Sequence, residues 1–270
     1  MKPAPFDYLR AGSLREAHAA LAAEGGDAAI IAGGQTLVPL LSMRMARPSV
    51  LVDIMHIDGL NGITVEDNAI RVGAAVRQAE LLAWPELARH QPLLSEALPW
   101  VGHWQTRARG TVCGSVALAY PSAELPLVLA ALGGEVVLSS GKGHRVVKAD
   151  DFFTGLMSTV RQDDELIEAV RFPCCRDGES FAFREFARRH GDFAIVACAA
   201  IVAGTKVRLA VGGVADRPVV QDFADASDDA LAAFADGLDA RDDLHASAAY
   251  RRDLVRRLGR ATIEDAKCRA

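Results

Sequence analysis

Ala28-Ala29-Ile30-Ile31-Ala32-Gly33-Gly34-Gln35-Thr36-Leu37 is a short apolar run without polar alternation that empties into a glycine pair. The unbroken run predicts a strand buried on both faces. Two residues without β-carbons at its end let consecutive backbone N–H groups turn inward around an anion, and phosphate is the natural guest. Taken alone, a Gly-Gly pair after a strand is more often a turn than a site. The spacing is not G-x-G-x-x-G, so a Rossmann dinucleotide site is not supported.

Working outward, Ser13 and Glu16 form an S-x-x-E capping box, and Leu14, Ala17, Leu21 and Ala22 recur at helical spacing until Gly25-Gly26. A helix over 14–24 follows. Downstream, 50–54 and 69–72 read as strands, while 78–83 and 93–101 are apolar at helical spacing. A second glycine stretch, Arg109-Gly110-Thr111-Val112-Cys113-Gly114-Ser115, leads toward a helix over about 123–132 that Gly133-Gly134 ends. Strands at 135–138 and 145–148 come next, so the pattern mixes α and β. The polar, proline-containing Pro173-Cys174-Cys175-Arg176-Asp177-Gly178 reads as a boundary between a domain at 1–174 and another at 175–270. Beyond it, 181–186, 194–203 and 206–214 read as strands, and 226–238 and 247–259 as helices.

A length of 270 residues allows one large or two modest domains. Thirty Lys plus Arg against 35 Asp plus Glu give a net charge of −5, which offers no footprint for nucleic acid or an anionic membrane. A small-molecule or protein partner is expected. The five cysteines include no CxxC pair and no interleaved histidine, so no zinc or iron–sulfur site is expected in this chain. Their odd number suits a reducing compartment. No apolar signal core opens the sequence and no run of about 18 apolar residues offers a membrane span, so a cytoplasmic location is expected.

Gly110 to Ser115 could supply further backbone donors, with Thr111 and Ser115 adding hydroxyls that suit a diphosphate or ribityl chain, or could be a tight bend between packed elements. Together the two glycine loops could hold one extended ligand. Glu124, in Pro121-Ser122-Ala123-Glu124, could accept from a ribose hydroxyl, although favouring the first turn of its own helix is the simpler role on spacing alone. Arg184 to Phe193 gathers three arginines, a histidine and two acids beside aromatic residues. That is either a solvated charged edge or a place where Arg184 meets a carbonyl-rich heterocycle and Phe193 stacks on it. His103, His144 and His190 are scattered, and no Ser-His-Asp or paired-carboxylate arrangement follows from the spacing. No catalytic acid or base is expected.

At these residues the chain resembles the medium, FAD-binding subunits of the xanthine dehydrogenase and carbon monoxide dehydrogenase group of molybdenum hydroxylases. It is similar to the A-G-G-x-[ST]-L loop at Ala32 to Leu37 and the R-x-R-G-T-[IV]-x-G-[SN] loop at Arg107 to Ser115. The likeness continues through Pro121-Ser122-Ala123-Glu124-Leu125-Pro126, Asp151-Phe152-Phe153-Thr154-Gly155, Ala187-Arg188-Arg189-His190-Gly191-Asp192-Phe193-Ala194-Ile195-Val196 and Gly212-Gly213-Val214-Ala215-Asp216-Arg217-Pro218. These ordered blocks span nearly the whole chain. Five positions depart from the pattern: Cys113 stands for a common glycine, Ala108 for asparagine, Arg184 for lysine and Leu156-Met157 for Pro-Tyr.

The resemblance implies an α+β chain: an FAD-binding domain of the vanillyl-alcohol-oxidase (PCMH) type, made of two α/β subdomains, plus a C-terminal α/β domain closing over the flavin. It implies that Ile31, Ala32, Gly33, Gly34, Gln35, Thr36 and Leu37, with Gly110, Thr111, Val112, Cys113, Gly114 and Ser115, take the pyrophosphate, and that Glu124 contacts the sugar. Val101 and Ile167 would line the cofactor, Arg184 would approach the isoalloxazine carbonyls, and Asp192 and Phe193 would complete the cofactor-binding set, with Phe193 against the ring. It further implies a large molybdopterin-binding subunit that hydroxylates the substrate and a small subunit with two [2Fe–2S] clusters, in a dimer of heterotrimers. This chain would collect electrons on FAD for an external acceptor. A free-standing flavin oxidoreductase would need its own base or a covalent flavin link, for which Cys113 is the candidate. A nucleotide-binding scaffold would be colourless. Carbon monoxide, aldehydes, purines and nitrogen heterocycles fit equally as substrates, as do NAD, quinone, cytochrome and oxygen as acceptors.

Overall fold

Three short strands, Asp7–Arg10, Val50–Asp53 and Ala28–Ile31, form a parallel sheet with Val50–Asp53 in the middle. The computed structural model describes residues 2–269. The Leu14–Glu24 helix packs on this sheet, as its spacing predicts, and Gly25 ends it with φ 54°. Its start differs in one detail: Ser13 accepts the Glu16 N–H at 3.2 Å, but the Glu16 carboxylate takes the N–H of Gly12, one residue before the expected partner. Ala28–Ile31 is a strand, yet all four residues are half-buried and not enclosed on both faces. The strand lies at the sheet edge and Ala28, Ala29 and Ile30 line an open cavity, so it is only partly enclosed by protein.

A second, antiparallel sheet runs in the order Ile63–Glu66, Ala69–Gly73, Leu166–Pro173, Glu135–Ser140, Gly143–Lys148. Leu166–Pro173 is its spine and was not legible as a strand, because Glu168 and Arg171 interrupt its apolar pattern. Both charges are answered by neighbouring strands: Glu168 by Arg71 at 2.8 Å, and Arg171 by Glu66 at 3.5 Å and Glu135 at 3.8 Å. The helix expected over 93–101 divides into Pro92–Ala97 and a tighter turn at Leu98–Trp100. Pro99 lacks the N–H an α-turn would use there.

The chain changes sheets between Pro173 and Glu179. Glu179–Phe186, Val196–Ala203, Lys206–Gly212 and Val219–Phe223 form an antiparallel sheet in chain order. Its strands alternate between two cores. Phe181, Phe183, Ala197 and Ala199 join the core shared with the first two sheets, whereas Ala182, Cys198 and Ala200 pack under the helices Asp228–Gly237 and Ala248–Cys268. The last helix passes well beyond 259, because Gly259 serves as a close contact and not a stop; a β-carbon there would lie 3.1 Å from Leu209 Cδ2. The Glu124–Ala131 helix is buried along its whole length and packs on the other face of the same sheet.

Leu127, fully buried in that helix, also touches the bare Cα face of Gly212. Leu127→Ala should cost about 3 kcal/mol of stability, read as a lower urea midpoint in equilibrium unfolding. An unchanged midpoint would show that the helix does not tie the two units together.

Candidate functional site

A cavity of about 710 Å³ opens between the three-stranded and five-stranded sheets, within the range of small-molecule and cofactor sites. Ala28, Ile30 and Ile54 come from one side and Ala74, Leu166 and Ile167 from the other. Both glycine loops edge it. Gly33 sits so close to the second loop that a β-carbon would fall 2.2 Å from the Arg109 carbonyl oxygen and 2.7 Å from Gly110 Cα. Gly34 has φ 70°, in the left-handed region. The chain then enters the Leu37–Ser42 helix, and the N–H groups of Gln35, Thr36 and Leu37 have no protein acceptor among the described residues.

The second stretch is a bend only up to Thr111; Val112–Leu118 is a helix with Thr111 as its cap, whose Oγ1 accepts the Gly114 N–H at 3.1 Å. Gly114 hid this helix in the sequence, although a β-carbon on it would crowd that hydroxyl at 2.7 Å. Cys113 lies in the helix without positive φ, which explains why this position accepts a side chain. Its thiol donates to the Val72 carbonyl at 3.5 Å, and burial pushes it up to about 12. It is therefore a neutral thiol at physiological pH.

Gln78 was not singled out by the sequence, yet it joins the loops. Its backbone N–H donates to the Gly110 carbonyl at 2.8 Å and its Nε2 to Thr111 at 3.4 Å. Its Oε1 is buried on the cavity wall with no partner, and such an atom calls for a ligand donor. Thr106 and Arg161 also line the cavity unannounced; two backbone carbonyls, of Gln162 and Glu165, hold the Arg161 guanidinium at 2.8 Å each.

Glu124, only 3 % exposed, is the first residue of its helix and forms part of the wall. Burial pushes its carboxyl up to about 7, against a smaller opposing pull from Arg107. Val101 and Ile167 supply apolar wall, and Phe193 stands at the mouth, 56 % exposed, with its ring 4.4 Å from that of Tyr120. Beside it Gly191, φ 87°, lies against the His103 ring.

The structure thus gathers Ala32 to Leu37, Val101, Gly110, Thr111, Cys113, Gly114, Ser115, Glu124, Ile167 and Phe193 on one cavity. Four expected residues are not on its wall. Ile31 borders a separate hollow of about 450 Å³ behind the first loop, and Val112 is fully buried in the core. Arg184 lies on the strand face opposite the cavity, bound to Asp265 at 2.6 Å, and Asp192 pairs with Arg188 at 3.4 Å. The five cysteines are free and no group of three or more metal-ligating side chains occurs among the described residues. No helix among them is long and apolar enough to cross a membrane.

Residues 4–175 match the family described as the FAD binding domain in molybdopterin dehydrogenase. Over its whole length the chain is 40 % identical to the 6-hydroxypseudooxynicotine dehydrogenase complex subunit alpha of Paenarthrobacter nicotinovorans, covering 97 % of that protein. It is 39 % identical over 81 % of its length to caffeine dehydrogenase subunit beta of Pseudomonas sp. (strain CBB1), covering 76 % of it. Its structure superposes on a chain of the reconstituted CO dehydrogenase from Oligotropha carboxidovorans with a TM-score of 0.94 at 30 % identity, covering 100 % of both chains. The chain therefore belongs to the FAD-binding medium subunits of the molybdenum hydroxylases, oxidoreductase components with FAD as cofactor.

Proposed function

We propose that this chain is the electron outlet of a molybdenum hydroxylase complex, holding FAD across its two glycine loops and passing on electrons drawn from a substrate elsewhere. The source would be a large molybdopterin-binding subunit, reached through the two [2Fe–2S] clusters of a small subunit, in a dimer of heterotrimers. The observation that carries the reading is the contact of Gly33 with Arg109 and Gly110, which joins both loops into one wall whose thiol, Cys113, stays protonated. When bound, FAD supplies redox chemistry that can be filled one electron at a time, while the protein supplies binding, orientation and electrostatics.

In this assignment the N–H groups of Gln35 to Leu37 and the Thr111 turn hold the diphosphate, and Gln78 Oε1 accepts a donor from the cofactor. Glu124 accepts a sugar hydroxyl. Val101 and Ile167 exclude water, and Phe193, braced by Tyr120, covers the ring at the mouth. The ion pair with Asp265 leaves Arg184 out of this set. Location of the cavity between two sheets supports the vanillyl-alcohol-oxidase layout of two α/β subdomains over 1–174, with 175–270 as the closing C-terminal domain. Five free thiols fit a cytoplasmic complex. The buried, protonated Cys113 speaks against a free-standing enzyme with cysteine-linked flavin.

Purification of the tagged chain from its native host, with an inventory of proteins and metals, should recover one large and one small partner together with molybdenum and iron. A flavin-loaded chain that turns over substrate alone would refute the outlet role. Gly33→Ala should weaken FAD binding about a hundredfold, about 2.7 kcal/mol, measured by quenching of flavin fluorescence; equal affinity would remove the first loop from the site. Acid precipitation should release all flavin into the supernatant, and Cys113→Ala should leave flavin content unchanged, whereas flavin retained in the pellet and lost in the variant would establish a thioether.

A further inference from the structure

Among the described residues, Arg161 is the one cationic side chain on the wall of the large cavity. Its bonds to protein leave from a single nitrogen, Nη1, which donates to the carbonyls of Gln162 and Glu165 at 2.8 Å each. Nε and Nη2 have no protein acceptor among the described residues, and neither atom is buried. The neighbouring Arg145 is fully answered by contrast. Its Nε and Nη2 reach the two oxygens of Glu165 at 2.5 and 2.7 Å, and Nη2 also meets the Val160 carbonyl at 2.8 Å. The carboxylate of this turn thus goes to Arg145, and Arg161 keeps a planar face and the rest of its fork without a partner.

The 161–165 turn packs where the Ala28–Ile31 strand begins: a β-carbon at Gly26 would lie 3.3 Å from Asp163 Oδ2. The Gly33-Gly34 loop leaves the other end of that strand. Its 4 residues, at about 3.3 Å each, separate the two turns by about 13 Å. Leu21, Ala28 and Leu166 adjoin the Arg161 end in the chain and add apolar wall to the same cavity. An apolar slot beside a guanidinium is a poor home for a phosphate, whose backbone donors lie at the glycine loops. It fits a flat aromatic base, which an arginine covers with its planar face.

We propose that Arg161 is a specificity-determining residue of the FAD site: it lays its guanidinium plane on the adenine, at the end of the cavity away from the glycine loops. This rests on the FAD reading of the cavity and deepens it. With the diphosphate at Gln35 to Leu37 and the Thr111 turn, and the flavin ring at Phe193, adenosine is the half of the cofactor still to be housed. The slot beside Arg161 is the part of the wall still to be covered. Two carbonyls on Nη1 fix the fork before any ligand arrives, so little side-chain freedom is lost on binding.

The test is the FAD dissociation constant of the full chain, by fluorescence quenching, with displacement of FAD by ADP and by UDP, which share ribose and diphosphate and differ in the base. Circular dichroism melts accompany each variant. ADP should displace FAD from the unaltered chain at about one-tenth of the UDP concentration. Arg161→Met keeps an apolar stem and loses the planar cation, so FAD should bind about tenfold more weakly and the gap between ADP and UDP should close. Arg161→Lys keeps the charge and can still donate to both carbonyls but has no plane. It should behave as Arg161→Met does, and it carries the test if Arg161→Met does not fold. Full affinity for FAD in Arg161→Lys would assign the role to charge acting on the diphosphate and overturn the adenine contact. An unchanged FAD constant in Arg161→Met, or equal displacement by ADP and UDP from the unaltered chain, would also overturn it; each of these results leaves FAD binding standing. Absence of FAD binding by the unaltered, folded chain overturns the cofactor reading and this inference with it.

Discussion

The approach of Gly33 to the backbone of Arg109 and Gly110 is the contact on which the site depends. It brings a loop from the parallel sheet against the loop that caps the Val112–Leu118 helix, with no side chain between them. Any β-carbon at Gly33 would separate the two walls. Gln78 reinforces the junction from the second loop's side, with hydrogen bonds to Gly110 and Thr111 and one buried acceptor left without a partner. A site built from backbone N–H groups and close packing needs few distinctive side chains.

The rest of the chain gives this junction a rigid backing. The Glu124–Ala131 helix is buried throughout and stands between the first two sheets and the third, so the residue at its start is desolvated where it meets the cavity. The third sheet divides its side chains between two cores, and the alternation that sends Phe183 to the shared core sends Arg184 to Asp265. Packing and electrostatics are thus linked: the elements that bury the start of this helix also push the Glu124 carboxyl up to about 7.

The strand emptying into Gly33-Gly34, the Ser13 cap, most of the later strands and the two closing helices were legible because they follow local rules of periodicity, capping and turn chemistry. Leu166–Pro173 was hidden by charges that only cross-strand partners explain, and Val112–Leu118 by a glycine needed for the crowded Thr111 cap. Asp7–Arg10, Ile63–Glu66 and Val219–Phe223 are short and largely exposed, so their sequences carry little pattern. Within the site, loop residues were legible from their glycines, and most line the cavity. Arg184 and Asp192 were misplaced because the strand's facing and local ion pairs, not residue type, decide where they point. Gln78 carries no motif; its contacts exist only once distant segments meet.

A crystal structure of the chain with FAD bound tests the central claim most directly. The account predicts the diphosphate between Gly33 to Leu37 and Gly110 to Ser115, with a sugar hydroxyl on Glu124. Density for FAD outside this cavity, or a diphosphate held by side chains away from both loops, would contradict it.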